Sequence, residues 1–217
     1  MRRKNEIFLF EGEISREKYH STNPIARKLV EGFMTSLLSL VEQSGSSRFL
    51  EIGCGEGQIC GLLAKNGYEV RGIDISADAI AVAKREAKRH SLDIEFVQGD
   101  LFKLKLDAGS ESRQAVICCE VLEHVDDPEE ALKRVVSMAE SRVVLSVPRE
   151  PLWRILNMVR GKYLSNLGNT PGHIQHWTKS GFIKLVSRHA KVLAVRTPTP
   201  WTMLLCEPLR KTSKSDQ

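Results

Sequence analysis

Three glycines at alternate positions in Glu51-Ile-Gly-Cys-Gly-Glu-Gly57 stand between a short apolar run and an amphipathic pattern, and this constrains the chain more than any other feature. Arg48-Phe-Leu-Glu-Ile52 reads as a strand, and residues 57–66 read as a helix. A glycine-rich turn from strand to helix lets the backbone bend sharply and approach a ligand closely. The helix N-terminus beyond it presents unpaired N–H groups to an anion. Such a turn suits many nucleotide-like ligands, and spacing narrows them. A G-x-G-x-x-G dinucleotide fingerprint needs its third glycine at position 58, where Gln58 stands, and the phosphate loop ending in G-K-[ST] is absent. The ligand therefore need not carry phosphates; a carboxylate fills the same anion site.

The rhythm continues along the chain. Glu69-Val-Arg-Gly-Ile73 reads as the second strand, a helix spans 77–90 behind the Ser76 N-cap, and Ile94-Glu-Phe-Val97 is the third strand. Ala115-Val-Ile-Cys-Cys119 is apolar throughout, as a central strand buried on both faces requires. Asp127-Pro128 starts another helix, and Arg142-Val-Val-Leu-Ser-Val147 is the fifth strand. Thr178 caps a helix to about residue 190, and 191–195 with 202–206 form a closing hairpin. Before all of this, Asn23-Pro24 opens a helix with Leu29, Phe33 and Leu37 on one face. Alternating strands and helices imply an α/β fold, a doubly wound, mostly parallel sheet with helices on both faces.

Residues 1–22 read as an N-terminal arm or cap, 23–207 as one domain, and 208–217 as a flexible tail. The segment 149–177 interrupts the rhythm and is read as a lid inserted over the sheet, with Trp153, Leu156 and Val159 lining an apolar underside. Five cysteines in no paired spacing suggest reduced thiols rather than disulfides or a zinc site. The apolar run Ile7-Phe-Leu-Phe10 is too short for a signal segment, and no run approaches the roughly 20 residues of a membrane span, so a cytoplasmic protein is expected. The net charge of +5 permits an anionic partner, either nucleic acid or a membrane surface. Dispersal of the basic residues argues against nucleic acid.

Two acids follow strands where open α/β sheets bind ligands. Asp74 lies seventeen residues after Gly57, placed to accept from ribose hydroxyls. Asp100 in Gln98-Gly-Asp-Leu101 is placed to accept from a base amino group, with the Leu101 N–H at the ring edge. Each alone is equally well a turn residue. Together with Phe49-Leu-Glu-Ile-Gly-Cys-Gly-Glu-Gly57, Val70-Arg-Gly-Ile-Asp74 and Ala115-Val-Ile-Cys-Cys-Glu-Val-Leu-Glu-His124, they make a series over residues 48–148. This series resembles the class I S-adenosylmethionine-dependent methyltransferases, and most of all their ubiquinone/menaquinone-biosynthesis-like (type 11) branch.

The resemblance implies a seven-stranded Rossmann-like sheet with an antiparallel last strand, and S-adenosylmethionine as cofactor with S-adenosylhomocysteine as product. It implies that Glu51, Gly53, Gly55 and Gly57 hold the methionine part, Asp74 and Ile75 the ribose, Asp100 and Leu101 the adenine, and Cys119 and Glu120 the side near the sulfonium. The D/N-P-P-Y/F/W signature of nucleic-acid amino methyltransferases is absent after residue 119. For the acceptor side the candidates are Tyr19 and His20, His124 as a catalytic base, and His173, His176 and Trp177, with the two histidines sharing one face of a turn. Packing or solvation explains each of these residues as readily. Two histidines with no carboxylate nearby in sequence give no metal site. The expected function is methyl transfer to oxygen or carbon of a small-molecule acceptor. The alternatives are an RNA or protein methyltransferase, a non-catalytic partner subunit that keeps the cofactor fold, and, on glycine spacing least of all, a nicotinamide dehydrogenase. Acceptor identity and oligomeric state have no signal in the sequence.

Overall fold

The computed structural model describes Phe10, residues 23–104 and residues 114–209. Helix α1 (Pro24–Ser44) starts at Asn23, whose carboxamide oxygen accepts from the Ile25 and Ala26 N–H groups. Then follow β1 (Arg48–Ile52), α2 (Gln58–Lys65), β2 (Glu69–Asp74), α3 (Ala77–Arg89), β3 (Glu95–Gln98) and β4 (Ala115–Cys119). A 3-10 turn at Leu122–His124 leads to α4 (Pro128–Met138) and β5 (Val143–Pro148). The chain ends with α5 (Leu152–Val159), a 3-10 turn at Leu164–Asn166, α6 (Lys179–Val186), β6 (Ala190–Arg196) and β7 (Trp201–Pro208).

The seven strands form one sheet in the order β3-β2-β1-β4-β5-β7-β6. Six run parallel, and β7 is antiparallel to both β5 and β6, as the closing hairpin predicts. The sheet is the doubly wound Rossmann-like architecture expected from the alternating pattern. Alternation along β4 sorts the core: Ala115, Ile117 and Cys119 face the layer of α1, α2 and α3, while Val116 and Cys118 face that of α4 and α6. With both faces covered, all five residues of β4 are buried.

Strand order reverses between β1 and β4, the switch point at which open α/β sheets form a ligand crevice beyond the strand ends. Register brings the relevant ends to that edge. Ile52 pairs with Ile73 and Cys118, Asp74 with Gln98, and Cys119 with Ser146.

Two local differences from the sequence reading have physical reasons. Helix α6 stops at Val186 rather than near 190, because Ala190 is buried and pairs with Pro208 at the start of β6. Phe10, in the segment read as an arm or cap, is fully buried: its N–H donates to Gln58 Oε1 (2.8 Å), its carbonyl accepts from Gln58 Nε2 (2.6 Å), and its ring fills the space over Gly61.

Candidate functional site

The turn after β1 divides its labour among the three glycines. A Cβ on Gly53 would lie 2.2 Å from Val121 Cγ2, and one on Gly57 would lie 2.8 Å from the Phe96 ring and 3.1 Å from Ala83. Those two positions are small because neighbouring elements press on them. At Gly55 a Cβ would meet nothing within 4 Å, and the residue has φ +51°. Gly55 is therefore the glycine whose backbone faces open space at the switch point, the cradle a ligand needs.

Asp74 fixes this cradle. Its Oδ2 accepts from the Gly55 N–H (2.7 Å) and its Oδ1 from the Ser76 N–H (2.9 Å), so one carboxylate ties the glycine turn to the end of β2. Each oxygen keeps a lone pair for a ribose hydroxyl. Ile75 beside it is 68% exposed, a large apolar side chain at the crevice rim. Asp100 accepts from the Phe102 N–H (2.9 Å) and lies 3.3 Å from Lys103 Nζ; the backbone hydrogen bond, then the lysine, hold its carboxyl below the usual range. Leu101 is partly buried behind it.

Glu51 lies beneath the turn rather than in the crevice. Burial pushes its carboxyl up to about 8, opposed by the Cys60 thiol, which donates to Oε2 (2.8 Å). Burial raises the Cys60 thiol as well, so both groups keep their protons. All five cysteines are buried and free.

Beyond β4, Cys119 is buried and Glu120 turns the chain with φ +60°. A non-glycine residue in the left-handed region costs about 1–2 kcal/mol and persists only where its surroundings impose it. Here the Trp201 indole N–H donates to Glu120 Oε2 (2.7 Å), the Ser146 hydroxyl to Oε1 (3.5 Å), and the Glu120 N–H reaches the Ser146 carbonyl (3.2 Å). Trp201 is a site residue that the sequence reading missed. Its only signal is a tryptophan opening a strand whose start reaches the crevice edge.

The 3-10 turn that follows carries Glu123, buried, and His124, exposed. Segment 172–175 docks on this turn: the Ile174 and Gln175 N–H groups donate to the Glu123 carbonyl (2.9 and 3.2 Å). His124 Nδ1 is 2.9 Å from the Gly172 carbonyl. A carbonyl only accepts, so Nδ1 carries the proton and Nε2 of the neutral ring is the basic atom.

His173 is buried, packed edge-on against His124 (centroids 4.9 Å) and at a tilt of 30° against Trp153 (5.6 Å). Trp153 in turn meets Trp201 (5.6 Å), which meets Phe33 (5.0 Å), giving an aromatic wall from the insertion to α1.

Three sequence expectations need correction. His176 does not share a face with His173: residues 173–176 are not helical, His173 is buried, and His176 is exposed with its Nε2 bonding Asn169 Oδ1 (2.8 Å). Trp177 packs on Phe182 (5.9 Å) in the layer of α4 and α6, on the opposite face of the sheet from Trp153. Val159 is 79% exposed and lines nothing, whereas Trp153 does face inward. A carboxylate also stands where none was expected. Ligand-capable atoms of Glu123, His124 and His173 lie within 4.8 Å of one another. Tyr19 and His20 lie outside the described residues.

A family model for the methyltransferase domain matches residues 50–145, the stretch that builds the crevice. The ubiquinone biosynthesis O-methyltransferase of Coxiella burnetii is 28% identical over 180 residues, 77% of this chain and 73% of that protein. The matched stretch and these relatives together support a class I S-adenosylmethionine-dependent methyltransferase. The fold of the chain matches that of magnesium protoporphyrin IX methyltransferase from Synechocystis with bound SAH, with TM-score 0.65 at 20% identity over 87% of this chain and 89% of the other. It also matches the PH0226 protein of Pyrococcus horikoshii, with TM-score 0.68 at 19% identity over 92% and 100%. Within the methyltransferase, the open cradle at Gly55 and its brace Asp74 fit the methyl donor: a backbone able to approach a zwitterionic ligand beside an acceptor for a diol. Among the described residues no helix is long and apolar enough to cross a membrane.

Proposed function

We propose that this methyltransferase moves a methyl group to a hydroxyl oxygen of a small, partly apolar acceptor, with His124 as general base. The observation that carries this reading is the His124 ring, exposed at the carboxyl edge of β4 with Nδ1 committed to the Gly172 carbonyl and Nε2 left basic. The relatives' O-methyltransferase activity supports oxygen over carbon as the methylated atom.

In this reading the Gly53, Gly55 and Gly57 turn holds the methionine part, with Glu51 as a neutral support below it. Asp74 and Ile75 hold the ribose, Asp100 and Leu101 the adenine, and Cys119 and Glu120 line the side near the sulfur. When bound, S-adenosylmethionine supplies a methyl group on positively charged sulfur, already activated for displacement. The protein's work is then to align an acceptor oxygen with that methyl, keep water out, and accept the hydroxyl proton at His124 Nε2. Residues 23–207 act as one domain, with 149–177 as a lid whose inner wall of Trp153 and His173 sets the shape of the acceptor pocket.

A second reading is favoured by the Glu123, His124 and His173 cluster. Two imidazoles and a carboxylate suit a borderline divalent ion such as zinc, which would hold the acceptor oxygen and favour its ionised form. One experiment separates the two readings. A panel of phenols and catechols is assayed for S-adenosylhomocysteine release, with and without prior chelation, and with His124→Gln. A base mechanism predicts chelator-insensitive turnover that falls about 10²-fold in the variant. Full loss on chelation with recovery by added zinc favours the ion, and no turnover with any hydroxyl acceptor overturns the proposal.

A further inference from the structure

The inner side of the 149–177 insertion faces the candidate acceptor site; its outer side has no such task and, among the described residues, gathers Ile155, Met158, Val159, Leu164 and Leu167 as exposed large hydrophobics. Within α5, Trp153 and Asn157 point inward, the latter buried with Nδ2 donating to the Gly168 carbonyl (2.9 Å) and to Thr170 Oγ1 (3.1 Å). The opposite stripe, spaced three and four apart, is Ile155, Met158 and Val159, and it is exposed. The next turn adds Leu164 and Leu167, which are 59% and 65% exposed.

These residues are held outward by structure. Arg154 Nε donates to the Leu167 carbonyl (2.9 Å), and the Lys162 N–H to the Asn157 carbonyl (2.8 Å), which ties the turn to α5. Tyr163 and Leu167, both bulky, take left-handed backbone at φ +56° and +49° to make the turn. Strain of this kind is kept where the presentation of side chains matters.

Charge selects the occupant. From residue 151 to residue 206 the sequence has no Asp or Glu and eight Lys and Arg. Arg160 and Lys162 of that set sit, exposed, between the two apolar tips. Protruding aliphatic side chains flanked by these two cations match a surface of phospholipid acyl chains beneath anionic headgroups. A protein partner would need acids opposite the cations. Nucleic acid would give the aliphatic tips nothing to bury in.

We propose that the outer face of α5 and the Leu164–Asn166 turn docks the protein reversibly on anionic membranes. This places the mouth of the acceptor site at the lipid surface, without any span. The proposal does not depend on which acceptor atom is methylated.

The test is flotation of the full chain with vesicles of phosphatidylcholine containing about 30% phosphatidylglycerol, against pure phosphatidylcholine, at low and physiological salt. The variants are the triple I155S/V159S/L164S and the double R160E/K162E, with calorimetric binding of S-adenosylhomocysteine as the control for folding. The wild type should float with the anionic vesicles and less so at higher salt. Each variant should require about tenfold more lipid while binding the nucleoside unchanged. Three results overturn the proposal: equal flotation of wild type and both variants, no flotation at low salt, or wild-type self-association that the triple substitution abolishes without any lipid binding.

Discussion

Replacing Glu51 by glutamine should make the protein more stable at alkaline pH than the wild type, and the size of the gain follows from its burial. The carboxyl sits at about 8 in the folded protein against an ordinary 4.5, because burial penalises the anion more than the Cys60 thiol stabilises it. Below about pH 4.5 both folded and unfolded chains hold the proton, and Glu51 adds no pH dependence. Between 4.5 and about 8 the unfolded chain has released the proton and the folded one keeps it, so the unfolded state binds fewer protons and stability falls as pH rises. Each pH unit across this window removes about 1.4 kcal/mol, and the whole window removes about 4–5 kcal/mol. Glutamine keeps an oxygen to accept from the Cys60 thiol and has no proton to lose. Urea unfolding followed by tryptophan fluorescence, in steps from pH 4.5 to 8.5, should give curves that coincide at the acid end and separate steadily, with the variant ahead at pH 8. Parallel curves would refute the reasoning, because a Glu51 that ionises at its ordinary pH in the folded state gives no divergence.

Four further substitutions test the site. Asp74→Ala removes the acceptor for the Gly55 and Ser76 N–H groups as well as the proposed ribose contacts; calorimetry should show S-adenosylhomocysteine affinity lower by about 10²-fold or more, at roughly 1.5–3 kcal/mol per bond to a charged group. Gly55→Val and Gly57→Ala should separate binding from folding. The first fills open space and should weaken nucleoside binding, while the second drives a methyl into Phe96 and should lower the urea midpoint by about 2 kcal/mol of stability. Trp201→Phe deletes the donor to Glu120 Oε2, and a loss of about 1–3 kcal/mol in thermal unfolding, with a raised KM for the acceptor, is the expected signature.

The cofactor half of the molecule was legible in sequence because local rules and the tertiary requirement coincide there. A glycine turn, a central strand without polar residues, and acids just past strand ends are dictated by the switch point itself, so Gly55, Asp74 and Asp100 could be located by spacing. The acceptor half was not. His173 and His176 are three apart, but the segment after the turn at Pro171 and Gly172 is not helical, and His173 is buried while His176 is exposed. Glu123 and His173 are fifty residues apart, and only docking of the insertion on the Leu122–His124 turn brings them together. The Trp201–Glu120 bond is equally non-local, joining β7 to the end of β4. Phe10 shows the same limit from the other direction: no periodicity marks it, and its burial depends on the bare surface of Gly61.

The central claim is that the crevice over Gly55 binds a methyl donor and that the chain spends it on an acceptor. Isothermal calorimetry with S-adenosylhomocysteine tests this most directly, since the product should occupy the same cradle without reacting. One site per chain with a dissociation constant on the order of micromolar, weakened in Asp74→Ala and unaffected by His124→Gln, is the predicted result. No heat and no retention by equilibrium dialysis, or binding indifferent to Asp74, would contradict it.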